Sequence, residues 1–141
     1  MVQQYIQDYK FKIMITEDYV SFKTAKLLKE KGFDEICFTW YTGKGKFKQG
    51  KNTYDDYHMN HFQDMDVAKC SAPTLQMAMK WLREVHNLFV DIYYDYDFRE
   101  GYKFSIHKLT KGTTLETNNK NYSTYEQACD KAIKYCLENL M

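Results

Sequence analysis

His58 and His61 stand three residues apart, flanked by Asp55, Asp56, Asp64 and Asp66. On a helix, that spacing would put both imidazoles on one face, where a carboxylate could complete a zinc or manganese site. The surrounding run, residues 50–70, shows no helical period. Histidines and aspartates are ordinary in solvated loops. The expectation is therefore an exposed loop, with His58 and His61 the weak metal candidates and no metal assigned.

Lys44, Lys46, Lys48 and Lys51 crowd one short stretch around Phe47. Such a turn can meet phosphates while the ring stacks on a base. The same lysines would also shield a sheet edge, which is the simpler reading. Tyr93, Tyr94, Tyr96, Phe98 and Arg99 form a second dense group. Strand alternation sends Tyr94 and Tyr96 to one face and Tyr93 to the other, so the rings cannot all be core. One face could pack normally while the other meets a protein or a planar ligand.

Met77 and Trp81 lie four apart, off the main apolar stripe of a predicted helix. A helix with two apolar faces is either sandwiched between layers or touches a partner. Cys70 precedes that helix, where a thiol's pKa can fall. No motif supplies it with a His or Asn partner, so no catalytic cysteine is assigned. His86 and His107 read as structural. The P-loop, G-x-G-x-x-G, G-x-S-x-G and H-E-x-x-H patterns are absent from the sequence. No catalytic residue and no cofactor are expected, and the chain does not read as an enzyme.

The elements that must position these residues follow from periodicity. Tyr9 to Ile15 alternates as a strand. Ser21 or Asp18 caps a helix to about Lys31, with Val20, Thr24, Leu27 and Leu28 on one face and Gly32 at its end. Glu35 to Tyr41 reads as a strand with Ile36, Phe38 and Trp40 facing one way. Thr42 to Gly45 turns it, and Lys46 to Lys48 begins the return. Residues 50–70 form an irregular acidic insertion.

Pro73 opens a second helix to about His86, with Leu75, Ala78, Met79, Leu82 and Val85 as its stripe. Leu88 to Tyr96 and Tyr102 to Leu109 pair as a hairpin. Thr113 to Thr117 adds a short strand. Thr124 with Gln127, or Ser123 with Glu126, caps a final helix. Its stripe includes Ala128, Cys129, Ala132, Ile133, Cys136 and Leu137. The class is α+β: one antiparallel sheet of about four to five strands with three helices. Helix–strand–strand occurs twice, the pattern of an αββ duplication.

With 141 residues, the chain fits one domain with a self-sufficient core. Twenty basic and nineteen acidic side chains leave a net charge of +1, which argues against a dedicated nucleic-acid binder. Residues 1–51 hold ten basic and six acidic groups, so the charge is uneven. Cys129 and Cys136 are about 10 Å apart on a helix, too far for a disulfide. Cys37, Cys70, Cys129 and Cys136 are expected as buried free thiols in a reducing compartment. No apolar run has membrane-span length and the first residues carry no signal-peptide core, so a cytoplasmic location is expected.

The stretches SFKTAKLLKEKGFDE, SAPTLQMAMKWLREVHN and TYEQACDKAIKYCLENL resemble a family of short proteins from gut Bacteroidales genomes and their phages or mobile elements. The resemblance implies a small accessory protein of undefined biochemistry and supplies no functional residues. It also implies that residues 1–13 are an N-terminal extension. The layout of the last two helices with strands between is similar to the phage ABA sandwich domain.

The leading expectation is thus a non-enzymatic accessory protein acting by contact with a protein partner or with a second copy of itself. Met77, Trp81, Tyr94, Tyr96, Arg99, Lys44, Lys46 and Lys48 are its candidate contact residues. A small-molecule ligand, such as a nucleotide signal of host defence that is sequestered, is the alternative. A nucleic-acid-binding module is a further one.

Overall fold

Ser21 sets the start of the first helix. Its backbone is extended (φ −66°, ψ 162°) and its hydroxyl accepts from the Thr24 amide at 3.3 Å. That satisfies one of the amides a helix leaves free at its beginning. The computed structural model describes residues 15–51, 56–97, 100–110, 112–117 and 120–141. Within them, α1 spans Phe22–Glu30, α2 Leu75–His86 and α3 Tyr125–Asn139. The strands are β1 Thr39–Tyr41, β2 Phe47–Gln49, β3 Cys70–Ser71, β4 Leu88–Asp95, β5 Gly101–Lys108 and β6 Thr113–Thr117. The expected strand at Tyr9–Ile15 and the extension at 1–13 lie outside the described residues, apart from Ile15.

The first two helices stop for local reasons. Gly32 takes φ +94° after α1, and the Phe33 amide turns back to Leu28 O at 2.9 Å. Asn87 adopts the left-handed conformation after α2. That helix begins later than expected. Thr74 is the cap, accepting from the Met77 amide, so Pro73 precedes the helix instead of opening it. The buried Pro73 has another role: its carbonyl accepts from the Val20 amide at 3.1 Å. Thr124 caps α3 by accepting from Gln127 N, as its spacing suggests.

The architecture is α+β, but the strands form two antiparallel sheets and not one. Their orders are β2-β1-β3 and β4-β5-β6. The β4–β5 hairpin runs from the Leu88–Lys108 pair to the Asp95–Gly101 pair, and β5–β6 contains a bulge beside Ile106 and His107. Helix α3 packs on β4 and β5 and also touches α1 and α2, while α1 reaches across to β3. Ala128, Cys129, Ala132, Ile133, Cys136 and Leu137 form the buried face of α3. Full burial of an aliphatic side chain such as Ile133 contributes roughly 1.5–3 kcal/mol.

Polar bonds tie these layers together. Asp130 of α3 accepts from the Ser21 amide (2.8 Å), the Ser21 hydroxyl (2.9 Å) and the Thr24 hydroxyl (3.2 Å). The Tyr135 hydroxyl donates to Glu116 at 2.7 Å, joining α3 to β6.

The strand expected over Glu35–Tyr41 is shorter, β1 covering Thr39–Tyr41, but the alternation along 36–41 is kept. Cys37, Thr39 and the half-buried Tyr41 point in, while Ile36 and Phe38 are 49% and 43% exposed. Thr39 is at ease inside because its hydroxyl donates to Ala72 O at 2.6 Å. The return strand begins at Phe47, one residue later than expected.

Candidate functional site

His58 overturns the expectation of a solvated loop. It is 1% exposed and pairs with Cys37 through two backbone hydrogen bonds of 2.7 and 2.9 Å. Its Nδ1 lies 2.7 Å from Ser71 Oγ, and its Nε2 lies 3.6 Å from Asp64 Oδ2. Lys69 stands 3.5 Å from the same Asp64 oxygen. Asn60 completes the network: it accepts from Ser71 N and donates to Phe33 O. Burial, then the Lys69 charge, pushes the His58 pKa down to about 4, against the pull of Asp64.

Serine, histidine and aspartate in contact invite comparison with a hydrolytic triad. Ser71, however, is fully buried, and its amide is held by Asn60. The network fastens the segment 56–69 to β3 and leaves the Ser71 hydroxyl shut off from solvent.

His61 faces elsewhere. Its ring lies 2.7 Å from Asp34 Oδ2, and its amide donates to Asp34 Oδ1 at 2.9 Å. Burial raises the Asp34 carboxyl, but the His61 hydrogen bonds outweigh it and hold the group below its ordinary range. The two candidate metal ligands thus serve different partners. Among the described residues, no group of three or more His, Cys, Asp or Glu side chains is placed to hold a metal ion.

All four thiols are buried and free. Burial drives Cys37 and Cys136 up to about 12, and Cys70 and Cys129 to about 11. Cys70 therefore has a raised pKa, opposite to what its place before α2 suggests. Its strand position buries it against α1, and desolvation exceeds the pull of Lys29 and Lys26.

Met77 and Trp81 do come together, but not as two displayed side chains. Trp81 is 7% exposed and packs edge-on against Phe33, with ring centroids 5.4 Å apart. His86 also packs edge-on against it, at 4.5 Å between centroids. Val85, expected in the core, is instead 56% exposed. The outcome is an open groove of about 480 Å³ along α2, lined by Met77, Trp81 and Val85 with Glu35, Lys80 and Glu84. Glu35 and Glu84 are exposed, and neither forms an ion pair among the described residues. A wider cleft of about 820 Å³ opens by β6 and the end of α3, but its lysine, Lys108, already donates to His86 O.

The other candidates scatter. Tyr94 is half-buried between Tyr96 (4.6 Å) and Tyr102 (5.1 Å), while Tyr96 lies past the end of β4 and is 81% exposed. Arg99 lies outside the described residues. Lys44, Lys46 and Lys48 are exposed on and beside β2 and do not line the α2 groove. Sequence reasoning missed Glu35 and Glu84. Glu84 stands seven residues after Met77, a spacing that places it on the same helix face and could have revealed it.

No helix among the described residues is long and apolar enough to cross a membrane. No family model, curated protein or solved structure matches the chain.

Proposed function

We propose that this protein is a non-enzymatic binding protein that captures a partner segment in the α2 groove. The observation that carries the reading is the pairing of an apolar floor with two unpaired carboxylates, which outnumber the one lysine, Lys80, on the same lining. Met77, Trp81 and Val85 offer somewhere to bury an apolar anchor, and Glu35 and Glu84 offer charge to its flanks. An anchor in a preformed pocket is how contact surfaces concentrate their affinity. The matching partner is an amphipathic helix with an apolar anchor flanked by Lys or Arg. The three sequence blocks that resemble phage and mobile-element proteins support an accessory role of that origin, with a host or phage protein as partner.

Selection from a library of helical peptides tests this reading. Enriched sequences should share an apolar residue bracketed by basic ones, and Val85→Asp should remove their binding without lowering the melting temperature. Enrichment without that pattern, or binding indifferent to Val85→Asp, would count against it.

A further inference from the structure

The opposite part of the chain carries a surface of different chemistry. Four rings run in a row where the start of α1 meets the β1–β2 hairpin. Tyr19 and Phe47 are 5.1 Å apart, Phe47 and Tyr41 5.5 Å, and Tyr41 and Phe22 5.4 Å. Gly45 lets the hairpin tip close on this row. It has φ +85°, and a Cβ there would stand 2.9 Å from the Phe22 ring. Phe47 keeps 40% of its surface open although it sits in a cluster.

Lysines surround the row. Lys26 Nζ sits 4.6 Å over the Phe22 ring, and Lys44, Lys46 and Lys48 are exposed on the hairpin. None of the four forms an ion pair among the described residues. Asp66, beside the hairpin turn, is engaged by the Gly43 amide at 2.8 Å. On the other side of β1, Lys69 lies 4.6 Å over Trp40. Lysines therefore gather on the hairpin although the net charge of the chain is only +1, while Asp18, Glu126 and Asp130 line the cleft on the far side of Tyr19.

We infer that this hairpin face binds single-stranded nucleic acid, with Phe47 and Tyr19 stacking on bases and Lys26, Lys44, Lys46 and Lys48 meeting phosphates. Rings beside free cations suit unpaired bases, because each base presents a flat face whatever its sequence. A duplex hides those faces. An acidic peptide would use the lysines and leave the rings idle. Edge protection alone would explain the lysines of β2 but not an exposed Phe47 packed against Tyr19.

Fluorescence anisotropy of the full chain with a labelled oligothymidylate of about twenty nucleotides tests the inference. Four phosphate contacts give a log–log salt slope of about −3 for a single strand. Phe47→Leu keeps apolar bulk while removing the ring, and should weaken binding by roughly tenfold. The Lys46→Glu, Lys48→Glu double variant should abolish it. Circular dichroism melts establish that both variants fold. Absence of binding at about 50 mM salt would overturn the inference. So would tighter binding of the matching duplex, or equal binding of polyglutamate with no effect of Phe47→Leu.

Discussion

His58 Nδ1 and Ser71 Oγ sit 2.7 Å apart, with both side chains buried. The contact joins the segment after residue 55 to β3, across thirteen residues of chain. Protonating the imidazole would bring a charge into a site shut off from solvent. The sign of the pH effect follows. The folded pKa is about 4 against an ordinary 6.5, so between these values the unfolded chain binds the extra proton. Stability then falls as pH drops through that window. Between about pH 7 and about pH 5 the loss is on the order of 2 kcal/mol. Urea unfolding of the wild type and His58→Asn across that range checks it. The variant should lose the His58 share of the slope, and unchanged slopes would contradict the assignment.

Asp130 is the second fastening. Its carboxylate takes three hydrogen bonds from Ser21 and Thr24, so α3 holds the first turn of α1. Asp130→Ala should cost about 1–2 kcal/mol in unfolding free energy. Asp130→Asn, which keeps one acceptor, should cost less. Equal losses from the two would place the effect elsewhere.

The buried thiols give a chemical readout of the fold. With Cys37, Cys70, Cys129 and Cys136 all raised by burial, iodoacetamide at about pH 8 should label none of them in the native state. All four should react once the chain is unfolded in urea. Fast native labelling of Cys70 would show that β3 is open.

These fastenings also explain what was legible in the sequence. Ser21, Thr124 and the stripe of α3 announce themselves locally, because capping and helical period act within a few residues. The alternation of β4 is equally local. The burial of His58 was not legible because its partners, Cys37 and Ser71, come from segments distant along the chain. Which of the two readings of Trp81 holds, sandwiched or displayed, was not legible because the ring that buries it, Phe33, reaches it only after the Gly32 turn. The division into two sheets was not legible, nor was the inward choice of Cys37 and Thr39 over the larger Ile36 and Phe38. Hydrophobicity ranks those residues the other way, and the Thr39 hydroxyl meets its acceptor, Ala72 O, only in the folded chain. The groove was half visible: its apolar floor at Met77 and Trp81 was, but Glu35 comes from a separate segment.

The central claim rests on the charges beside that floor, and a charge-swap cycle tests it most directly. The measurement is the affinity of a basic amphipathic peptide of roughly three helical turns, and of its acid-swapped twin, for the wild type and the Glu35→Lys, Glu84→Lys variant. The account predicts that the wild type takes the basic peptide, and that the variant releases it and takes the acidic one. Affinities that ignore the swap would contradict the α2 groove as the binding site.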